Sequence, residues 1–281
     1  MRDRNKTECA VGDILSQDPA WAAYAIADLR PDLAGFCRWL VAPDASALAL
    51  LFTGLEPPIL LTAGTSEGVA LALTEAELPQ EVFLSVLPSH LPAVQQHYQR
   101  IDRHDMLRMA LAPGQQVSEE SIPTVPLSVA DELRLQSLYQ HGGEFARDAF
   151  TASQLQDGYF FGIEDEIGGL AAAGGTHIAY RSEYTSSLTS HEKALRKTSS
   201  IDRILSEGVA AIGNIYTRPD CRGRGFGTAV TARIVQALQA DGYRLIVLNV
   251  SEQNLVARSL YEKLEFVTHC LFIEGSAKRN Q

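Results

Sequence analysis

The chain has 281 residues, 46% of them hydrophobic and 21% charged, with a formal net charge of −10. Such a length suits about two domains of ~100–200 residues each, and the composition is that of a globular protein with a real core. The acidic balance argues against nucleic acid or an anionic membrane as the main partner, since both reward a basic face.

The first residues are polar and no signal-type apolar segment follows them, so the expectation is a cytoplasmic protein. Residues 19–29 read as a helix, with Asp18 as N-cap and Pro19 at the first helical position. Residues 37–41, 48–53 and 58–62 read as strands between turns containing Pro, Asp and Gly. A further strand at 82–87, a helix at 91–100 and a strand at 106–111 follow. The longest uncharged run, 82–99, is interrupted by prolines, histidines and glutamines and predicts no membrane helix. His90, His97 and His104 stand in polar stretches and read as solvated, and no catalytic motif is visible in this half. A polar segment at 112–121 runs into Ile-Pro-Thr-Val-Pro126, where each proline holds its predecessor extended. This linker predicts two domains, 1–125 and 126–281.

Beyond it, Ser128-Val-Ala-Asp131 is a capping arrangement that opens a helix to about Gln140, and Thr151-Ala-Ser-Gln154 opens a short one ended by Gly158. Residues 159–164 and 167–178 read as strands joined by a turn at Asp165-Glu166. The polar stretch 179–208 reads as a long loop or mobile hairpin, with Lys193, Arg196, Lys197 and Arg203 either solvated or forming a patch. A strand at 210–217 then meets a glycine- and arginine-rich loop. The helix after it, 225–240, carries Phe226, Val230, Ile234 and Leu238 on one stripe and stops at Gly242. Residues 245–250 form a strand of the buried type. Ser251 caps a second helix with Val256, Leu260 and Leu264 as its apolar stripe, and a last strand covers 266–273. The order strand–helix–strand–helix–strand predicts an α/β layered domain.

The loop Arg222-Gly-Arg-Gly-Phe-Gly227 has the chemistry of an anion site. Glycines let the backbone approach a ligand, a helix N-terminus offers N–H groups, and arginines add charge. Spacing narrows the ligand. A triphosphate loop needs a lysine that is absent here, and the dinucleotide pattern fails at its third glycine interval and lacks its acidic residue. Cys9, Cys37, Cys221 and Cys270 are scattered without a CxxC pair, so metal-ligand and redox spacings are missing too.

Arg222-Gly-Arg-Gly225-Phe-Gly227 matches Arg/Gln-x-x-Gly-x-Gly/Ala; Pro219 precedes it, Asn254, Ala257 and Tyr261 follow at helical spacing, and Phe266 stands just past the helix. This stretch resembles the acyl-CoA pyrophosphate loop and the following helix of the GNAT superfamily of N-acetyltransferases. The resemblance runs through 126–273 in element order and 215–266 in specific motifs, with Glu265 where the family places a glycine. It implies an α/β fold with a mixed, mostly antiparallel sheet flanked by helices, and acetyl-CoA as acyl donor without a metal. It implies transfer to a primary amine of a small molecule, amino acid or protein, by direct attack in a ternary complex. The first domain would be a degenerate copy of the same fold lacking the loop. Partners would be acetyl-CoA and the amine, without nucleic acid or membrane, in a monomer or homodimer.

The resemblance places pyrophosphate on Arg222, Gly223, Arg224, Gly225, Phe226, Gly227 and Thr228, and pairs the pantetheine arm with the strand at Ile215 and Thr217. An N–H on that strand would polarise the thioester carbonyl. Tyr261 is the candidate acid for the departing thiolate, sharing with Asn254 and Arg258 a helical face turned toward the cofactor. The strand before the loop lacks the glutamate that many members use as base. His177, Glu144 or a water chain are the substitutes, and Asn214 is a buried polar group able to orient water or substrate. Two other readings stand beside this one: an N-acyltransferase using a longer acyl-CoA, and a non-catalytic acyl-CoA sensor.

Overall fold

The structure, a computed structural model, describes residues 2–74, 76–112, 114–118, 121–142, 150–157, 159–182 and 199–279. The first half runs α1 (Arg2–Leu15), α2 (Ala23–Ala27), β1 (Cys37–Val41), β2 (Ala47–Phe52), β3 (Ile59–Gly64), α3 (Ser66–Thr74) and β4 (Glu81–Val86). It continues through α4 (Leu91–Gln95), β5 (Arg100–Ile101) and β6 (His104–Leu111). The second half holds β7 (Val125–Leu127), α5 (Glu132–Gln140), β8 (Phe160–Glu164), β9 (Leu170–Tyr180), α6 (Ser200–Glu207) and β10 (Val209–Thr217). It ends with α7 (Phe226–Ala240), β11 (Leu245–Ser251), α8 (Leu255–Lys263) and β12 (Phe266–Lys278).

The strands form one sheet in the order β1-β2-β3-β4-β12-β6-β11-β10-β9-β8-β7, with β5 also on β12. Two pairs, β3/β4 and β10/β11, are parallel, and the rest are antiparallel. An order recurs in both halves: three antiparallel strands, a helix, a parallel strand, a helix and a last strand. The last strands are exchanged. β6, from the first half, lies between β11 and β12, while β12 pairs with β4 of the first half. The halves therefore share their central strands.

Alternation along β10 shows how both faces are covered. Val209 and Ala211 pack with Trp21, Ile26, Val247 and Phe272 under α1 and α2. Ala210 and Ile212 pack with Val230, Ile234 and Leu238 of α7, the three being fully buried as their stripe predicts. Over the first half, Val69 and Leu73 of α3 close on Leu51, Leu60 and Leu84.

Several expectations need correction. The helix expected at 19–29 is one short helix, α2, preceded by a turn in which Asp18 accepts the Trp21 N–H at 3.1 Å. The helix expected to reach residue 100 ends at Gln95, and Arg100 begins β5. Part of the expected loop 179–208 is helix α6, opened by a reciprocal Ser199/Asp202 capping box. Ile201, Ile204 and Leu205, at helical spacing, dock it on the core. Lys193, Arg196 and Lys197 lie outside the described residues, and Arg203 pairs with Glu207 within the helix at 3.2 Å. His90 is buried, not solvated: its ring nitrogens meet Thr62 Oγ1 at 2.9 Å and the Gly64 carbonyl at 3.1 Å.

Candidate active site

The site begins where two parallel strands part. β10 pairs with β11 from Val209↔Leu245 to Ile212↔Leu248 and no further, although β10 continues to Thr217 and β11 to Ser251. Over the same stretch, the register of β10 against β9 slips between Gly213 and Tyr216. Asn214 takes a left-handed backbone with φ 56° at this bulge. The backbone around Ile215 and Thr217 thus faces a widening between strands, without a partner on β11.

The strand leads directly into the glycine–arginine loop. Arg218 pins its start, donating to Asp165 and Asp220 at 2.7 Å each, and Cys221 is buried beneath it. The guanidinium holds both carboxyls below the usual carboxylate range. Arg222 folds back, its Nε donating to the Thr217 carbonyl at 3.2 Å. Gly223 and Gly225 have φ of 76° and 81°, the left-handed region in which a Cβ is strained. Residues 222–225, including Arg224, are exposed, and no side chain caps α7 at Gly225. The first N–H groups of α7, at Phe226, Gly227 and Thr228, precede its first intrahelical bond, Ala229 N–H to Gly225 O at 3.0 Å. A Cβ on Gly227 would come within 3.0 Å of Leu260, so the start of α7 rests directly on α8.

Helix α8 differs from its expected orientation. Val256 is 83% exposed, and the buried side is formed by Tyr261 and Leu264, with Ala257 and Leu260 half-buried beside them. Tyr261 lies on the core side, its ring meeting Phe266 edge-on at 6.2 Å between centroids. Burial pushes its hydroxyl up to about 12. The cap is Asn254, not Ser251: Asn254 Oδ1 accepts the Ala257 N–H at 3.1 Å. Arg258 donates to the Glu252 carbonyl at 3.0 Å. Both residues therefore shape the start of α8. Glu265 follows the helix with φ 66°, so a glutamate occupies the left-handed position that suits glycine.

A hydrogen-bonded chain crosses the bulge. Asn214 Nδ2 donates to Gln154 Oε1 at 2.9 Å, which leaves Oδ1 as the acceptor for His177 Nε2–H at 3.1 Å. His177 Nδ1 is then bare and accepts from the Tyr24 hydroxyl at 3.2 Å. Tyr139 donates to the Asn214 carbonyl at 2.8 Å. Burial holds His177 below the usual histidine range and pushes Tyr24 up to about 12. His177 is thus neutral with both nitrogens engaged. Glu144 lies outside the described residues.

Three further polar residues sit on the α2 face beside the widening. Arg108, on β6, is fully buried among the rings of Trp21, Tyr24 and Phe272, at 5.3, 4.8 and 5.3 Å. Its Nη1 donates to the Trp21 carbonyl at 3.2 Å, while Nε and Nη2 have no partner. Half-buried Asn249, the first residue of β11 past the parting, donates to Glu274 Oε1 of β12 at 3.2 Å, and its own Oδ1 has no partner. Burial raises the Glu274 carboxyl to about 7 against the lowering pull of Arg108. None of the three carries a sequence signal, because only the strand exchange makes them neighbours. Among the described residues, no group of three or more His, Cys, Asp or Glu side chains is placed to hold a metal ion. Nor is any helix among them long and apolar enough to cross a membrane.

Residues 128–266 match the Acetyltransferase (GNAT) family model. A mycothiol acetyltransferase of Geodermatophilus obscurus is 37% identical over 76 residues, 26% of this chain and 25% of that protein. One from Streptomyces avermitilis is 36% identical over 63 residues, 22% of this chain and 20% of that protein. The matching stretch thus spans about a quarter or less of these curated relatives. Among solved structures, a GCN5-related N-acetyltransferase from Sphaerobacter thermophilus aligns over 98% of this chain and 94% of its own, with a TM-score of 0.54 at 16% identity. A GNAT-family acetyltransferase from Novosphingobium aromaticivorans aligns over 83% and 89%, with a TM-score of 0.53 at 17% identity. Those identities speak for the fold, and the family match speaks for the second half. The chain carries an acetyltransferase domain of the GNAT family at residues 128–266, within that family's fold.

Proposed function

We propose that this protein is an acetyl-CoA-dependent N-acetyltransferase acting on a primary amine by direct attack in a ternary complex. One observation carries the reading: β10 and β11 part and open onto an uncapped helix N-terminus behind a loop with two left-handed glycines. N–H groups from Arg222 to Thr228 would receive the pyrophosphate, since the amides and helix dipole favour negative charge. Arg222 and Arg224, exposed at the rim, add charge. The backbone at Ile215 and Thr217 would pair with the pantetheine amides as an added strand would. The bulge at Asn214 turns the backbone just before it and supplies the place for an N–H against the thioester oxygen.

The leaving group is a thiolate whose conjugate acid has a pKa of about 8.5. Tyr261 would stabilise it as hydrogen-bond donor, and its burial keeps the hydroxyl protonated across the working range. His177 acts by holding Asn214, since both its nitrogens are already bonded.

We further propose that residues 1–125 are a degenerate copy of the fold that holds no cofactor. The repeated element order supports it. So does the junction of β3 and α3, where Thr65 alone stands in place of a loop. The carbonyls at the end of β3 are already taken, Thr62 by Trp21 Nε1 at 2.8 Å and Gly64 by His90 at 3.1 Å. One acetyl-CoA per chain is expected.

Thiol release from acetyl-CoA with a panel of primary amines tests the proposal. Release that depends on an amine supports it. Faster release from longer acyl-CoA donors would change the donor, and binding without release on any amine would make the chain a sensor.

A further inference from the structure

The proposed reaction needs a base for the acceptor, and the strand before the loop offers none. Along the α2 face, however, the central strands set a polar row into an apolar surface. Gly213, beneath the His177 ring, lies on β10; Asn249 of β11 is the cross-strand partner of Arg108 on β6; Glu274 of β12 lies diagonally from them, opposite His104 of β6 and hydrogen-bonded to Asn249. Their neighbours on that face, Val209, Ala211, Val247, Met106 and Phe272, are all core residues. Asn249 and Arg108 stand at the level where β10 and β11 separate, Asn249 being the first residue beyond the last pair, and Glu274 lies beyond them on the open side. The row lies on the face opposite α7, whose side of the sheet carries the phosphate loop. A thioester reaching through the parting would therefore meet this row first.

Around Asn249, two acceptors are neighbours. Asn249 Nδ2 donates to Glu274 Oε1 at 3.2 Å, which orients the amide and leaves Asn249 Oδ1 without a partner beside the carboxylate. A carboxylate and an amide oxygen side by side are the complement of an ammonium group. Fully buried Arg108, with Nε and Nη2 unbonded, supplies positive charge that keeps an ionised Glu274 available in this setting.

We propose that Glu274 is the general base of the acyl transfer, receiving the acceptor's ammonium together with Asn249 Oδ1; this rests on the acetyltransferase reading above. The carboxylate takes one proton from the ammonium, and the neutral amine's lone pair forms the C–N bond at the thioester carbon. The C–S bond breaks with its electron pair on sulfur. The second amine proton ends on that sulfur, and Glu274 returns its own proton to solvent. The products are the amide, the free thiol and one proton. The charged and titratable groups facing Glu274 are Arg108 and His104 of β6 and Tyr24 of α2. A carboxyl titrating at about 7 is matched to a base working near neutral pH.

Glu274→Gln tests this, with Glu274→Asp as the second variant, in acetyl-CoA binding and amine-dependent thiol release across pH. In the wild type, kcat/KM should rise with pH along a limb centred near the carboxyl's value of about 7. Glu274→Gln should lose about 100-fold in turnover near pH 7 and lose that limb, while binding acetyl-CoA as the wild type does. Glu274→Asp should keep the limb at reduced rate, which separates lost chemistry from lost fold. Wild-type turnover with an unchanged limb in Glu274→Gln would overturn Glu274 alone. A wild type that fails to bind acetyl-CoA would overturn the underlying reading. One that binds it but transfers to no amine would overturn the acceptor site.

Discussion

His177 Nε2 lies 3.1 Å from Asn214 Oδ1, and this bond ties β9 to the left-handed residue at the bulge of β10. The ring also lies so close over Gly213 that a Cβ there would collide with it. His177 is therefore a positioning residue for the backbone proposed above to meet the thioester. His177→Ala should lower kcat about tenfold and leave the shape of the pH–rate profile in place. Steady-state kinetics from about pH 5.5 to 9 would show it; disappearance of the limb near neutral pH in this variant would make His177 the base instead.

Tyr261 is 7% exposed and its hydroxyl is pushed up to about 12, so it is a donor and not a base at any working pH. Replacing it by phenylalanine keeps the edge-on packing against Phe266 and removes only the oxygen. Tyr261→Phe should lower kcat by about 100-fold with KM for acetyl-CoA changed less than about threefold. Full turnover in that variant would assign the thiolate's donor elsewhere.

Much of this architecture was legible in the sequence where local chemistry dictated it. The stripe Val230, Ile234 and Leu238, the capping box at Ser128 and the stop at Gly242 all describe a single element, and each is present. The loop was legible because glycines at Gly223 and Gly225 are needed for left-handed backbone whatever surrounds them. The orientation of α8 was not, because Val256 and Tyr261 suit an apolar stripe equally well, and only packing against β12 decides between them. Arg108 and Glu274 were silent for a stronger reason. They feel each other's charge at a separation of more than a hundred residues, through a strand exchange that no local pattern encodes.

Glu265 offers a test of backbone strain. Its φ of 66° is the left-handed conformation in which a Cβ crowds the following carbonyl, at a cost of roughly 1–2 kcal/mol. Glycine removes that cost but adds freedom to the unfolded chain, worth roughly 0.5–1 kcal/mol. Glu265→Gly should therefore stabilise the protein by up to about 1 kcal/mol, visible as a higher denaturant midpoint. A lower midpoint would mean that the glutamate side chain contributes more than its backbone strain costs.

Gly225 precedes α7 with φ 81° and stands among exposed loop residues, and a Cβ there would meet only Ile122 Cδ1, at 3.3 Å. An aspartate would set a carboxylate beside the N–H groups proposed for pyrophosphate, where like charges repel. Gly225→Asp should abolish acetyl-CoA binding in calorimetric titration while the protein remains folded by circular dichroism. Binding heats equal to those of the wild type would remove the loop from the cofactor site.

His90 offers a pH test remote from the chemistry. Its Nε2–H donates to the Gly64 carbonyl and its Nδ1 accepts from Thr62, so the ring is bonded as the neutral form, and burial holds its pKa below the ordinary 6.5. The unfolded chain thus binds a proton below about 6.5 that the native state resists. With more protons on the unfolded side, stability falls as pH drops through that value. His177 acts in the same direction, whereas Asp28 and Glu274, both raised to about 7, are stabilising at low pH and lose that contribution as pH climbs toward 7. The net slope mixes these groups, so the informative quantity is the difference between two proteins. Between about pH 7.5 and 5.5, the fall in urea midpoint should be smaller for His90→Gln than for the wild type, even though the variant begins from a lower midpoint. Parallel curves for the two proteins would assign the titration to other groups.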